Sequence, residues 1–109
     1  MLSLTDVIEI IKNGESPYIE FKEEEVKPND LAGEIVAFSN MEGGTILIGV
    51  SDEGVIKGVK DGKIEEKVMN ICRNNCIPGV IPIYEEITIE GKTISVVTIP
   101  KGKHKPYYT

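Results

Sequence analysis

Residues 41–59 read MEGGTILIGVSDEGVIKGV, with five glycines between two apolar runs. A phosphate-binding loop needs GxxxxGK followed by Ser or Thr, and a dinucleotide fold needs GxGxxG between a strand and a helix; neither pattern occurs here. The β-branched segments TILIGV and VIKGV flank SDEG, which has the composition of a tight turn. This stretch therefore predicts a β-hairpin, with glycines that stop a helix and form turns.

On either side of this stretch, the spacing of the apolar residues switches several times between the helical and the strand period. Helical spacing recurs in three places, the first at Leu4, Ile8 and Ile11, with Ser3 as its cap and Gly14 as its stop. The predicted helices cover residues 4–13, the segment between Pro28 and Gly43, and the segment from Ile64 to Asn74-Asn75. Strand-like alternation occurs in YIEFKE and in a second hairpin, IYEEITIE and TISVVTIP, joined at Gly91-Lys92.

These elements follow the order αβαββαββ, which predicts a single α+β domain with a mostly antiparallel sheet and helices packed on it. Within the strand at residues 45–50, Ile46, Ile48 and Val50 should face one side and Leu47 the other. Because both sides are apolar, helices should cover at least one face, and another layer or a partner the second.

Composition limits the function classes. The chain has 109 residues and a formal net charge of −6, which argues against gripping nucleic acid with its whole surface. The charge is uneven: residues 15–30 are crowded with carboxylates, whereas residues 91–109 contain four lysines and no acid. No apolar run approaches the roughly 20 residues of a membrane span, and no signal peptide is recognisable. We therefore expect a cytoplasmic protein without a membrane partner, in which Cys72 and Cys76 are reduced thiols.

Three segments, in this order along the chain, resemble the motifs of a known family: ESPYIEFKE, IVAFSNMEGGTILIGVSDEGVIKGV and VVTIPKGKHKPYY. Together they resemble the Schlafen/AlbA-type DNA-binding domain family found in prokaryotic transcriptional regulators and in the core of animal Schlafen proteins. The resemblance runs from about Glu15 to Tyr108. It implies that residues 1–109 are one such domain, the N-terminal part of a longer protein.

The resemblance also implies a metal site. In Schlafen ribonucleases two glutamates five residues apart and an aspartate after the IGV strand bind metal, and the matching residues here are Glu15, Glu20 and Asp52. Three carboxylates suit Mg²⁺ or Mn²⁺, and Lys22, on the same strand face as Glu20, would steady developing negative charge. The alternative is a solvated strand face for Glu20 and Lys22 and a plain turn for Asp52, since acid-x-Lys occurs five times in the sequence.

The C-terminal segment mixes cations with aromatic rings. Lys101, Lys103, His104 and Lys105 precede Tyr107, a combination suited to phosphate contact and base stacking. The alternatives are a flexible terminus, or the entrance to a further strand in which Tyr107 and Tyr108 are packing residues.

Three functions follow as hypotheses. The first is a nucleic-acid-binding module of a transcriptional regulator that contacts DNA or RNA without a cofactor, with homo-oligomerisation left open. The second is a Schlafen-like endoribonuclease that depends on Mg²⁺ or Mn²⁺. The third is a nucleotide-binding module, because relatives carry the label of divergent AAA ATPases; the missing phosphate loop argues against it.

Overall fold

The computed structural model describes residues 2–109, which form three helices and one four-stranded sheet. The elements in chain order are α1 Leu4–Asn13, β1 Ile19–Lys22, α2 Pro28–Asn40, β2 Gly44–Ile48, α3 Ile64–Asn74, β3 Ile83–Ile89 and β4 Lys92–Ile99. The predicted α+β class is confirmed. None of the described helices has the length and apolar character needed to cross a membrane.

The sheet has the strand order β1-β2-β4-β3. Strand β1 pairs with β2 in parallel, and both other pairings are antiparallel. The parallel pair requires a crossover connection, and α2 supplies it. Both sides of β2 are therefore occupied, by β1 and by β4.

The pairing of both edges of β2 explains why one predicted strand does not form. The segment 55–59 forms only an isolated bridge, between Val50 and Ile56, so the hairpin predicted from the SDEG turn is wrong. With β1 and β4 already bonded to β2, a hairpin partner would find no free strand edge. Gly54 and Gly58 also have φ of 82° each, which interrupts an extended strand.

Helices cover both faces of the sheet. On one face Ile46 and Ile48 pack with residues of α2 and α3. On the other face Leu47 packs with Phe21 and with Val7 of α1. The expectation that helices cover at least one face is confirmed, and α1 is the layer on the second.

Two details of the predicted apolar faces are wrong. Val50 packs on the Leu47 face of the sheet and not on the Ile46 face. The reason is Gly49, whose φ of 107° ends the alternation of β2. In α1 the fully buried residue is Val7, whereas Leu4 and Ile8 are 47% and 45% exposed. The apolar residues of α1 are spread more widely than a single helical face, so spacing alone did not select the buried stripe.

The glycines before β2 have a steric role. Gly43 has φ of 85°, and a Cβ there would collide with the backbone carbonyl of Ile99. Its amide donates to the carbonyl of Phe38 at 2.9 Å, which closes the end of α2. Gly43 and Gly44 thus allow α2 to turn directly into β2, as the sequence predicted for helix-stop glycines.

Candidate functional site

Glu20, one of the carboxylates predicted to bind metal, lies on the edge strand β1. Phe21 faces α1, so its neighbours Glu20 and Lys22 face the side of the sheet covered by α2. The Glu20 carboxylate lies 3.8 Å from the Lys22 ammonium, and both side chains are about one-quarter exposed. The Glu15 carboxylate accepts a hydrogen bond from the Phe21 amide at 2.8 Å, which ties the loop after α1 to β1.

Glu20 meets two other carboxyl groups. Burial, with hydrogen bonds to Glu34 of α2 and to Glu15, raises the pKa of Glu20 to about 8. The raised pKa favours the protonated form of Glu20, and a proton on one carboxyl group is what allows two of them to hydrogen-bond each other. Glu15 and Glu20 were predicted from the sequence, whereas Glu34 was not; its only sequence signal is its position on the crossover helix between β1 and β2.

Asp52 lies elsewhere, in the exposed turn that follows Val50. That turn is held by Ser51, whose hydroxyl accepts from the Val55 amide at 3.1 Å and whose amide donates to the Val55 carbonyl at 2.9 Å. The Ser51 hydroxyl thus has the amide-binding role that the turn alternative gave to Asp52. Glu15 lies close enough to Glu20 to raise its pKa, and Asp52 is not among the groups that do so.

Among residues 2–109 no group of three or more His, Cys, Asp or Glu side chains is arranged to hold a metal ion. The Glu15 carboxylate is engaged by a backbone amide, and the raised pKa of Glu20 favours its protonated form, so both groups would have to change before ligating a cation. The metal site of Glu15, Glu20 and Asp52 remains a prediction, one that needs the three carboxylates to move together.

The C-terminal segment after β4, residues 100–109, is anchored to the domain. The Gly102 amide donates to the Ser39 carbonyl at 2.8 Å, and Tyr108 forms two backbone hydrogen bonds with Ile77 at 2.8 and 2.9 Å. Asn40, at the end of α2, bonds both the amide and the carbonyl of Tyr107. The segment is therefore a fixed part of the domain surface.

The predicted stacking role of Tyr107 does not fit its position. Tyr107 is 8% exposed and belongs to the core beneath α2 and α3. Its hydroxyl accepts hydrogen bonds from the amides of Lys103 at 3.2 Å and His104 at 3.4 Å. Tyr107 is thus a packing residue that shapes the loop, as one of the alternatives proposed, and its ring is covered.

The charged side chains of the same segment point to solvent. Lys101, Lys103, His104 and Lys105 are all exposed, and Lys101 forms an ion pair with Glu42 at 3.2 Å. A groove of about 330 Å³ lies beside them. Its walls contain Ser39, Gly79, Val80, Ile81, Pro100, Lys101, Gly102, Lys103, His104 and Tyr107, with no carboxylate.

A second group of lysines was missed by the sequence analysis. Lys57, Lys60 and Lys92 surround a shallow depression of about 340 Å³ next to the β3–β4 turn. They come from two segments separated by more than 30 positions, so only the tertiary fold brings them together. This group lies at the start of β4, and the C-terminal segment lies at its end.

The amino-acid sequence matches the model of a known protein family. The sequence model described as "Schlafen, AlbA_2" matches residues 15–109, so the chain belongs to the Schlafen/AlbA_2 domain family.

Two solved structures are similar to the chain. One is the N-terminal domain of a protein from Nitrosomonas europaea described as related to the ATP-dependent DNA helicase RecG. It has a TM-score of 0.80 and 25% identity, over 99% of this chain and 80% of that one. The other is the DIP2311 protein from Corynebacterium diphtheriae, with a TM-score of 0.63 and 17% identity, over 90% of this chain and 25% of that one. The second likeness shows the fold alone. No curated protein sequence matches the chain.

Proposed function

We propose that this chain is a nucleic-acid-binding module of a cytoplasmic transcriptional regulator, and that it binds DNA or RNA without a metal or other cofactor. The observation that carries the proposal is the anchored C-terminal segment, which presents Lys101, Lys103, His104 and Lys105 from a fixed loop. Membership of the Schlafen/AlbA_2 family supports it, as does the likeness to a domain of a RecG-related protein.

The electrostatics of this surface favour a polyanion in spite of the net charge of −6. Phosphate binding depends on local cations that displace counterions, and charges beyond roughly 10 Å are screened at 0.1 M salt. The groove wall has no carboxylate of its own. The ion pair of Lys101 with Glu42 is exposed and therefore weak, so Lys101 is available to a phosphate.

Binding of labelled oligonucleotides by fluorescence anisotropy tests the proposal. Single-stranded DNA, duplex DNA and single-stranded RNA of one sequence are titrated with the protein in EDTA at several salt concentrations. We expect saturable binding that weakens with salt. If all three probes fail to bind at low salt, the nucleic-acid module is ruled out.

A metal-dependent endoribonuclease is the second candidate, because Glu15 and Glu20 meet near Lys22. In the described arrangement these residues do not fit a metal ion, and we derive no catalytic step through one. A divalent cation would have to displace the proton of Glu20, so any metal binding should strengthen as the pH rises.

Cleavage of labelled RNA with Mn²⁺ or Mg²⁺, against EDTA, decides this second candidate. The test variant is Glu20→Gln. Its matched control is Glu9→Gln, which makes the same change at an exposed position of α1. A ribonuclease should lose metal-dependent cleavage in the first variant only. Intact RNA with either metal would leave the binding module as the sole candidate.

A further inference from the structure

The groove beside the C-terminal segment combines an apolar wall with a cationic rim. Val80 and Ile81 contribute apolar surface to its wall, and residues 100–104 contribute Lys101, Lys103 and His104. Ile81 is 87% exposed, the highest value among the exposed large apolar residues, and nothing in residues 2–109 covers it. Apolar or aromatic platforms next to cations are how proteins bind single-stranded nucleic acids, because bases have apolar faces and phosphates are anionic.

The size of the groove favours one small group. Its volume of about 330 Å³ lies at the lower end of the roughly 300–1,000 Å³ typical of small-molecule pockets. The side chain of Ser39 is buried and its hydroxyl has no hydrogen-bond partner among the described residues. Ser39 also contributes to the groove wall.

Cations lie on both sides of Ile81. A second groove of about 400 Å³ shares Val80 and Ile81 with the first and has Arg73 in its wall. A strand that passes over Ile81 would therefore meet Lys101 and Lys103 on one side and Arg73 on the other. The hydrogen bonds that anchor Gly102 and Tyr107 keep the lysine side rigid, which lowers the entropy cost of binding.

We propose that this groove binds one unstacked nucleotide of a single strand, with its base against Val80 and Ile81 and its phosphates on Lys101 and Lys103. The inference rests on the proposed function and adds the class of ligand. The bases of a duplex are stacked and paired, so they cannot enter without distortion. The module should therefore prefer a single strand to a duplex of the same sequence.

The test uses single-stranded DNA and RNA probes carrying one 2-aminopurine, with the corresponding duplexes and EDTA throughout. Binding should raise the 2-aminopurine fluorescence of single strands as the base leaves its neighbours. Ile81→Ala should weaken single-strand binding roughly fivefold and reduce this rise, with duplex binding unchanged. Ile81→Tyr should strengthen single-strand binding, because an aromatic ring stacks on bases.

The matched control is Ile83→Ala, which removes another exposed isoleucine, 56% exposed, outside the groove wall. Ile81 is so exposed that its replacement should leave the thermal unfolding midpoint unchanged. If the wild type binds nucleic acid but Ile81→Ala matches Ile83→Ala in affinity and fluorescence, the groove proposal is overturned and the proposed function stands. If the wild type binds none of the probes, both are overturned. Ile81-dependent binding of an acidic, leucine-containing peptide without any fluorescence rise would instead make the groove a protein-docking site.

Discussion

Asn40 and Tyr107 lie 67 positions apart in the sequence and form two hydrogen bonds with each other. The Asn40 side-chain amide donates to the Tyr107 carbonyl at 2.9 Å, and the Tyr107 amide donates to the Asn40 side-chain oxygen at 2.7 Å. This pair fastens the C-terminal segment to the end of α2. It therefore connects the core of the domain to the lysines of the proposed interface.

Asn40→Ala should destabilise the domain by about 2 kcal/mol, because it leaves two partly buried backbone groups of Tyr107 without partners. It should also weaken nucleic-acid binding several-fold, since the lysines would no longer be held in place. Urea unfolding and anisotropy titrations measure the two effects. The control is Asn70→Ala, at an exposed position of α3. Unchanged binding by a folded Asn40→Ala protein would separate the anchor from the interface.

Replacing Lys101, Lys103 and Lys105 together with glutamine should weaken binding to unrelated sequences alike. Each phosphate contact contributes roughly 0.9 to the slope of log K against log salt for duplex DNA, so the slope should flatten by up to about 3. The measurement is affinity at several salt concentrations.

The matched control for this variant replaces Lys57, Lys60 and Lys92 together with glutamine. It removes the same charge from the other lysine group, at the β3–β4 turn. If only this control variant loses affinity, the interface lies at the start of β4 and the C-terminal lysines are not part of it.

Glu20→Gln should remove a pH dependence of stability. The pKa of Glu20 in the folded protein, about 8, is raised above its ordinary value of 4.5, so the folded state holds the proton more tightly. Its favourable contribution is fully present below pH 4.5 and is lost as the pH rises toward 8. Glu20→Gln should therefore be more stable than the wild type at pH 8 and closer to it at pH 5.

Urea unfolding at pH 5 and pH 8, in EDTA, measures this difference for the wild type, Glu20→Gln and the surface control Glu9→Gln. Equal pH dependence in all three proteins would show that the cluster of Glu15, Glu20 and Glu34 does not hold a shared proton.

Gly102→Ala should destabilise the domain by about 2 kcal/mol or more, because the added Cβ would overlap the Tyr107 ring and crowd the Ser39 carbonyl. In Gly33→Ala, the contrasting variant, nothing lies within 4 Å of the new Cβ in α2. That change should stabilise the helix by roughly 0.5–1 kcal/mol. Thermal unfolding compares the two, and equal midpoints would contradict the packing of Tyr107 beneath Gly102.

The two lysine groups and the carboxyl cluster illustrate what sequence spacing leaves undecided. Glu20 and Lys22 are two positions apart on one strand, so their shared face was predictable. Glu34 joins Glu20 only because α2 crosses between two parallel strands. Likewise, Lys57 and Lys92 meet because the loop after β2 runs alongside β4, where the Val59 amide donates to the Thr93 carbonyl at 2.8 Å.

Local chemistry determined the features that depend on residues a few positions apart. Ser3 and Asp6 form the reciprocal cap that starts α1 at Leu4, and its end at Asn13 agrees with the stop expected from Gly14. The β3–β4 hairpin also follows locally, although its turn is Glu90-Gly91, both with positive φ, one position before the predicted Gly91-Lys92.

Only the tertiary structure decided which strand edges are occupied and which side chains are covered. The segment 55–59 has the composition of a strand, yet β1 and β4 already use both edges of β2. Tyr107 looks like a stacking residue in the sequence, yet Asn40 and the core beneath α2 enclose it. In both cases, segments distant in sequence compete for the same hydrogen bonds and the same buried surface. The outcome depends on the relative stability of the alternative contacts, which a local sequence pattern does not contain.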